Sequence, residues 1–481
     1  MRYAICGAAV ERMLLRRHRE TSRPDYVQWT NRLARLFITP RSPATMENKA
    51  GPSHCDFSIE SRLFFRQQKK IGERKSPSPS YNNSAQLESF FNKLAQAKET
   101  IVQSGVKDAF ILHHDEADGL CSAALAKIAV EKLGIETRLI CLDKLYPEVV
   151  KEVEGGSRHL VVFSDLGSGH VQLLESQNLS RSILVILDHH DTSESRDPLV
   201  HNLNPELNGF SGEKDASSST VAYLFAKTVD PSFATFAPLA IIGSTEIPGE
   251  AQGLNKIPIG DAEKTGAVKR TPSGGIKFEG PVPWLSPSRA SSILNVLGSV
   301  GYYRGGPQLG LSACIKGFDK QILETAKGLE EERRNANQRM MEKIRNGGLT
   351  QMKNVQWFHA KENYKGMSGK VVGSFCSYLS YQRFVNPVKY LIGMMSVPPE
   401  VPGWGRLPSP FVKVSGRAPQ PLAKMIETGK RPPLSKILPE SCEKEGGFGD
   451  GHTVAASGVF PIGSEEAFLE ALDALVSKAA G

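Results

Sequence analysis

The chain has no CxxC pair. Its seven cysteines (Cys6, Cys55, Cys121, Cys141, Cys314, Cys376 and Cys442) are scattered along 481 residues. That spacing argues against a structural zinc site and a disulfide framework, and points to a reducing compartment, the cytoplasm. Nor does any apolar run approach the roughly 20 residues that span a bilayer, so a soluble protein without a membrane partner is expected. No internal repeat stands out. Hydrophobic residues at 40% and charged residues at 23% suit a globular body, and the length allows two or three domains.

The net charge of +8 is unevenly placed. Residues 1–85 hold 16 Lys+Arg against 7 Asp+Glu, a net of +9, which leaves 43 against 44 and a net of −1 for the rest. The basic pI therefore describes the first segment and not the body. Residues 1–84 mix arginine clusters (Arg16-Arg17-His18-Arg19) with turn-rich "SPSPSYNNS" and read as a basic, disordered tail. A solvated tail, a nucleic-acid arm, a targeting peptide and a stretch upstream of a start at Met46 all stay open.

From Ser84, read as a helix cap, the pattern changes. Leu87, Phe90, Phe91, Leu94 and Ala95 recur at helical spacing. Short apolar strands ("DAFILHH", "TRLICL", "HLVVFSDL", "SILVIL") then alternate with amphipathic helices, the signature of a parallel sheet covered on both faces. The fold class expected is thus α/β: a parallel-sheet domain over 85–318, a long connector helix over 319–346 and a smaller C-terminal α/β domain over 347–481. Residues 217–317 read as mainly helical, and "PPEVPGWGRLPSP" (398–410) as a Pro/Gly-rich loop.

Three strands end in side chains that no packed core would choose. The first delivers His113, His114, Asp115, Glu116 and Asp118, another delivers Asp165, and the run Ile183-Leu184-Val185-Ile186-Leu187 stops at Asp188-His189-His190-Asp191. In open α/β sheets ligands bind at the carboxyl ends of the strands, so these residues define one pocket. Carboxylates mixed with imidazole suit a divalent ion such as Mn²⁺. A set this large has room for two ions about 3.5–4 Å apart, the spacing that serves phosphoryl displacement. Each piece alone has a plainer reading. A single Asp at a strand end is usually a turn or cap residue, Asp191 starts a loop, and His113 and His114 alternate across the strand, so one of them is packed away.

"HHDEADG", "SDLGSG", "DHH" and "DASSSTVAYLFA", in that order, resemble the successive motifs of the DHH phosphoesterase superfamily, closest to archaeal RecJ-like proteins. "SVGYYRGGPQLGLSACIKG" (299–317) is similar to the segment before their connector, and "GDGHTVAASG" and "VKVSGRA" to signatures of the DHH-associated nucleic-acid-binding domain. The resemblance covers roughly residues 100–465. It implies Mn²⁺ or Mg²⁺, two ions, held by His113 or His114, Asp115, Glu116, Asp118, Asp165, His189 and Glu246. Asp165 would bridge the ions, His190 would contact the scissile phosphate, and Asp188 would orient the pair. Ser217, Ser218 and Ser219 would supply hydroxyl and amide donors. Arg417, Gly449, Gly451 and His452 would hold a nucleic-acid strand.

Two positions depart from the family pattern. Glu116 stands where Asp is usual, and "GSTEIPGE" offers only Glu246 or Glu250 where a later Asp is usual. In the C-terminal signature, Asp450 and Ser457 take positions usually held by glycine. The resemblance implies a RecJ-like exonuclease acting on single-stranded DNA or RNA in DNA repair or replication. The alternative is a catalytically weakened scaffold that binds nucleic acid and a GINS-type replication complex.

Overall fold

In the computed structural model, residues 83–271, 275–279 and 285–479 are described, and they fall within one compact unit. The basic tail, Met46, Cys6 and Cys55 lie outside the described residues.

The first described helix, α1 (Asn83–Ser104), begins one residue before Ser84, which therefore sits in the first turn and not at the cap. A parallel sheet follows: β1 (Asp108–His114), α2 (Ala117–Lys132), β2 (Glu136–Leu142), α3 (Pro147–Gly155), β3 (Leu160–Ser164), α4 (Val171–Gln177), β4 (Ile183–Leu187) and β5 (Val200–Asn202), in the order β2-β1-β3-β4-β5. β3 and β4 are buried at every position, as unbroken Val/Leu/Ile/Phe runs are when both faces of a sheet are covered.

The register places the site. His113 pairs with Ser164 and Ser164 with Leu187. The next residue along each strand is therefore His114, Asp165 or Asp188, side by side at one sheet edge. The Asp165 amide donates to the Leu187 carbonyl at 2.9 Å and keeps that alignment one step beyond the strands.

Beyond the sheet come α5 (Ser218–Val229), α6 (Ala237–Gly243), α7 (Lys256–Lys264), a hairpin of β6 (Val268–Arg270) and β7 (Ile276–Phe278), α8 (Pro287–Asn295), a π-helical turn over Val296–Val300 and α9 (Gly306–Lys316). The hairpin was not expected in a segment read as helical. The long helix α10 (Lys320–Gly347) is capped by Asp319, whose carboxylate accepts from the Ile322 amide, and it stops at Gly348 with φ +77°.

Then come β8 (Thr350–Gln351), β9 (Val355–His359), α11 (Lys370–Leu379), β10 (Tyr390–Val397), a small separate hairpin of β11 (Glu400–Val401) and β12 (Gly405–Arg406), β13 (Phe411–Arg417), α12 (Gln420–Glu427), α13 (Leu434–Lys444), β14 (Phe448–His452), β15 (Ala455–Pro461) and α14 (Glu465–Ala479). Six of these strands form a second, mixed sheet in the order β14-β15-β13-β10-β9-β8. The β11–β12 hairpin corrects the loop reading of 398–410: Pro402 and Gly403 lie between its short strands, where proline and glycine favour a turn.

Candidate functional site

β1 ends by splitting its two histidines. His113 is buried and its Nδ1 lies 2.9 Å from the His114 carbonyl oxygen; burial pushes its pKa down to about 4. His114 turns to the acids. Its Nδ1 is 3.3 Å from Asp165 Oδ2 and 3.7 Å from Glu116 Oε2, and its Nε2 is 3.6 Å from Asp115 Oδ1. Of the two histidines it is His114 that faces the carboxylates, and no described carboxylate lies within ion-pair distance of His113.

Gly119 lets α2 start directly under the end of β1, because a Cβ there would sit 2.6 Å from the His114 oxygen. This delivers Asp118 in the first turn of α2. Its Oδ2 accepts the Ser218 amide and its Oδ1 the Ser219 amide, both at 2.9 Å, across the start of α5. Ser217 caps that helix by accepting from the Thr220 amide. Ser218 and Ser219 are fully buried, which corrects their expected nucleic-acid contact: their donors hold Asp118. Burial, and then the Asp165 charge, push the Asp118 pKa up.

Asp165 sits between two groups of side chains. Oδ2 faces His114, while Oδ1 lies 3.8 Å from His189 Nε2 and 3.9 Å from His190 Nδ1 and has no hydrogen-bond partner. Its backbone is left-handed at φ +64°, a conformation that costs a non-glycine residue energy and is held here by the surrounding packing. Burial works against the Asp165 carboxylate, but His114, His190 and His189 outweigh it, and its pKa falls.

His189 is oriented by Gly212, whose carbonyl oxygen lies 2.7 Å from Nδ1. A carbonyl only accepts, so Nδ1 carries the proton and Nε2 is the atom turned to Asp118, 3.7 Å away, and to Asp165. Asp188 accepts from the Ser168 amide at 3.0 Å and from the His189 amide at 2.8 Å, and it lies 2.7 Å from His190 Nδ1. Burial opposes a charged His190, yet Asp188 prevails and pushes the imidazole up to about 10.

Glu246, in the turn after α6, accepts from Asn295 Nδ2 at 3.2 Å. Its rim is open to solvent, but its crowded inner side and the charges of Glu116, Asp118 and Asp165 push its pKa well up. Glu250 is exposed and forms no ion pair with the cluster.

These residues fit a divalent cation. His189 Nε2 lies 3.7 Å from Asp118 Oδ2 and 3.8 Å from Asp165 Oδ1, and His190 stands within 4.8 Å of Asp165 and His189. Ligand atoms about 2.1 Å from one octahedral ion lie about 3 Å apart when adjacent and about 4.2 Å apart when opposed, a range that includes the 3.7 and 3.8 Å separations of His189 Nε2 from Asp118 and Asp165. Asp165 Oδ1 has no hydrogen-bond partner in the chain, which leaves that oxygen available to an ion.

The second sheet also reaches the site, through side chains the sequence did not single out. Lys370 Nζ is 2.5 Å from Glu116 Oε2, and Ser368 Oγ donates to Asp115 Oδ2 at 2.7 Å. "SGK" opening an apolar helix was the one local signal; its target lies 254 positions upstream. Arg417 donates from Nε to Ser377 Oγ and from a terminal nitrogen to the Gly416 carbonyl, each at 2.8 Å. Gly451 is left-handed at φ +146°, and a Cβ there would sit 2.4 Å from Ala456 Cα, so strand packing alone requires its glycine. A Cβ on Gly449 would likewise meet the Ser457 carbonyl oxygen at 2.9 Å. His452 is exposed, and Asp450 pairs with Lys144 just past β2.

Residues 108–243 match the family described as "DHH family, N-terminal domain". An uncharacterized protein of Methanocaldococcus jannaschii is 29% identical over 170 residues, 33% of this chain and 37% of that one. RecJ of Thermus thermophilus in complex with Mn²⁺ is similar at a TM-score of 0.53 and 16% identity, over 81% of this chain and 55% of that one. A structure of exonuclease RecJ bound to manganese gives the same score and identity over 81% of this chain and 94% of that one. The chain thus has a RecJ-like fold, and it spans just over a third of its curated relative and about half of the Thermus protein. Among the described residues no helix is long and apolar enough to cross a membrane.

Proposed function

We propose that this protein is a divalent-metal-dependent phosphoesterase, a RecJ-like exonuclease that hydrolyses phosphodiester bonds of single-stranded DNA or RNA. The observation that carries this reading is the meeting of Asp118, Asp165 and His189, from three separate strand-to-loop junctions, with His189 Nε2 within 3.8 Å of both carboxylates. Mn²⁺ or Mg²⁺ bound there would polarise a phosphoryl oxygen and acidify a water molecule.

The chain's own groups do the rest. The Ser218 and Ser219 amides fix Asp118, and the Gly212 carbonyl fixes the His189 tautomer. The His190 side chain is 47% exposed, stays charged at neutral pH beside Asp188 and presents Nε2–H to a non-bridging phosphate oxygen. Arg417, with His452 on β14, would grip the strand beyond the scissile bond. The five described cysteines are buried free thiols, in keeping with the reducing cytoplasm proposed for the protein.

Purified protein with Mn²⁺ should shorten labelled single strands, and chelator should stop it; 5′ and 3′ labels give the polarity. Intact oligonucleotides with no Mn²⁺ bound in calorimetry would end this reading. A second reading, a weakened scaffold for nucleic acid and a GINS-type complex in replication, is favoured by one observation: Lys370 already occupies Glu116. Asp118→Ala separates the two, abolishing hydrolysis in an enzyme and leaving partner binding intact in a scaffold.

A further inference from the structure

Glu116 already has a cation of the chain's own. Lys370, the first residue of α11, places Nζ 2.5 Å from Glu116 Oε2. It is delivered by a packed turn and not by a loose surface arm. Ser368 is fully buried on Asp115, and a Cβ on Gly369 would lie 2.3 Å from Lys413 Cγ, so this turn is held against β13. Glu116 has one methylene more than the Asp usual in the family pattern, and that length carries its carboxylate to the lysine.

The electrostatics divide along the same line. Burial disfavours the Glu116 carboxylate, but Lys370 and then His114 reverse this and lower its pKa. Burial likewise disfavours the Lys370 ammonium, and Glu116 and Asp115 overcome it. Across Asp165, whose Oδ2 faces His114, the Oδ1 side holds His189, whose Nε2 is 3.8 Å from Asp165 Oδ1 and 3.7 Å from Asp118 Oδ2. The single group of potential metal ligands that lie close together among the described residues, Asp165, His189 and His190, is on that side too.

We infer that this chain binds one divalent ion, through Asp118, Asp165 and His189, and that the Lys370 ammonium stands beside Glu116 and His114 in the place of a second ion. This rests on the phosphoesterase reading and deepens it. An ammonium supplies one positive charge and three donors from a fixed direction, so a phosphate entering the site would meet Lys370 on one side and the ion on the other. Because the lysine comes from α11, which packs on the second sheet, the charge at the site depends on that helix being docked beside Asp115 and Glu116.

The test is equilibrium dialysis of the full chain against Mn²⁺, with bound metal counted by elemental analysis and free metal by electron paramagnetic resonance. The wild type should hold one tight ion per chain, Glu116→Gln should keep it, and Asp118→Asn should lose it. Lys370→Met should take up a second ion in the range where the wild type binds one. Two tight ions in the wild type, or Lys370→Met staying at one, would overturn the inference. The wild-type count decides even if a variant fails to fold. A wild type that binds no Mn²⁺ would instead remove the metal-site reading beneath it.

Discussion

Lys413 Nζ on β13 lies 3.6 Å from Asp143 Oδ2 just past β2, and each side chain is only 2% exposed. Neither atom has a hydrogen-bond partner, so the pair ties the two sheets together at the full cost of desolvation. Burial drives the Lys413 pKa down to about 8, with Asp143 opposing it. Because the folded value is the lower one, the penalty of burying the ammonium is fully present below pH 8. It is relieved as pH rises toward the ordinary value of about 10.4, a gain on the order of 3 kcal/mol. Wild-type stability in urea should therefore rise relative to Lys413→Met between pH 8 and 10. Parallel curves would refute this account of the pair.

The Asp118 carboxylate accepts two buried amides, so its replacements should differ in stability while sharing a loss of function. Asp118→Ala leaves both amides without an acceptor, at about 1–3 kcal/mol each; Asp118→Asn keeps one acceptor and should cost less. Both should lower hydrolysis by about 100-fold or more, the scale of losing one electrostatic contact to a transition state. Denaturation midpoints and rates measured on the same samples check the two parts separately.

Gly212 should tolerate no side chain. An added Cβ would sit 1.8 Å from the His189 carbonyl oxygen, on the residue whose own carbonyl orients that imidazole. Gly212→Ala should weaken Mn²⁺ binding by about 10–100-fold, as losing the partner that orients a metal ligand does. Gly260→Ala, inside α7 with nothing within 4 Å of the added carbon, should leave binding unchanged and stabilise the fold by about 0.5–1 kcal/mol. Calorimetry with Mn²⁺ distinguishes the pair.

The strand ends were legible in the sequence because a doubly covered parallel strand is an unbroken apolar run, and an Asp or His at its end has nowhere to go but the edge. Alternation along β1 said that one of His113 and His114 turns away; which one depends on the register with β3, which no local pattern contains. The serines after Asp215 were placed at the correct helix start but aimed at the wrong target, since their partner, Asp118, lies 100 positions earlier. Lys370 was invisible for the same reason. Lysine at the start of a helix is ordinary until the second sheet docks it on Glu116. The hairpins at 268–278 and 400–406 pair only two or three residues per strand, too few for a period of two to register.

Asp450 pairs with Lys144. Asp450→Gly should free that lysine for phosphate and remove a like charge from its neighbourhood. Single-strand affinity should then rise by about 2–10-fold, and the slope of log K against log salt should steepen by roughly 0.7, the value for one added contact. Fluorescence anisotropy across a salt series reads both. An unchanged slope would mean that Lys144 does not meet the strand.

The shared cation at the sheet edge is tested most directly by anomalous diffraction at the manganese edge from crystals soaked in Mn²⁺. A peak is expected within about 2.2 Å of side-chain atoms of Asp118, Asp165 and His189 together. No peak there, or a peak only elsewhere on the molecule, would contradict the account.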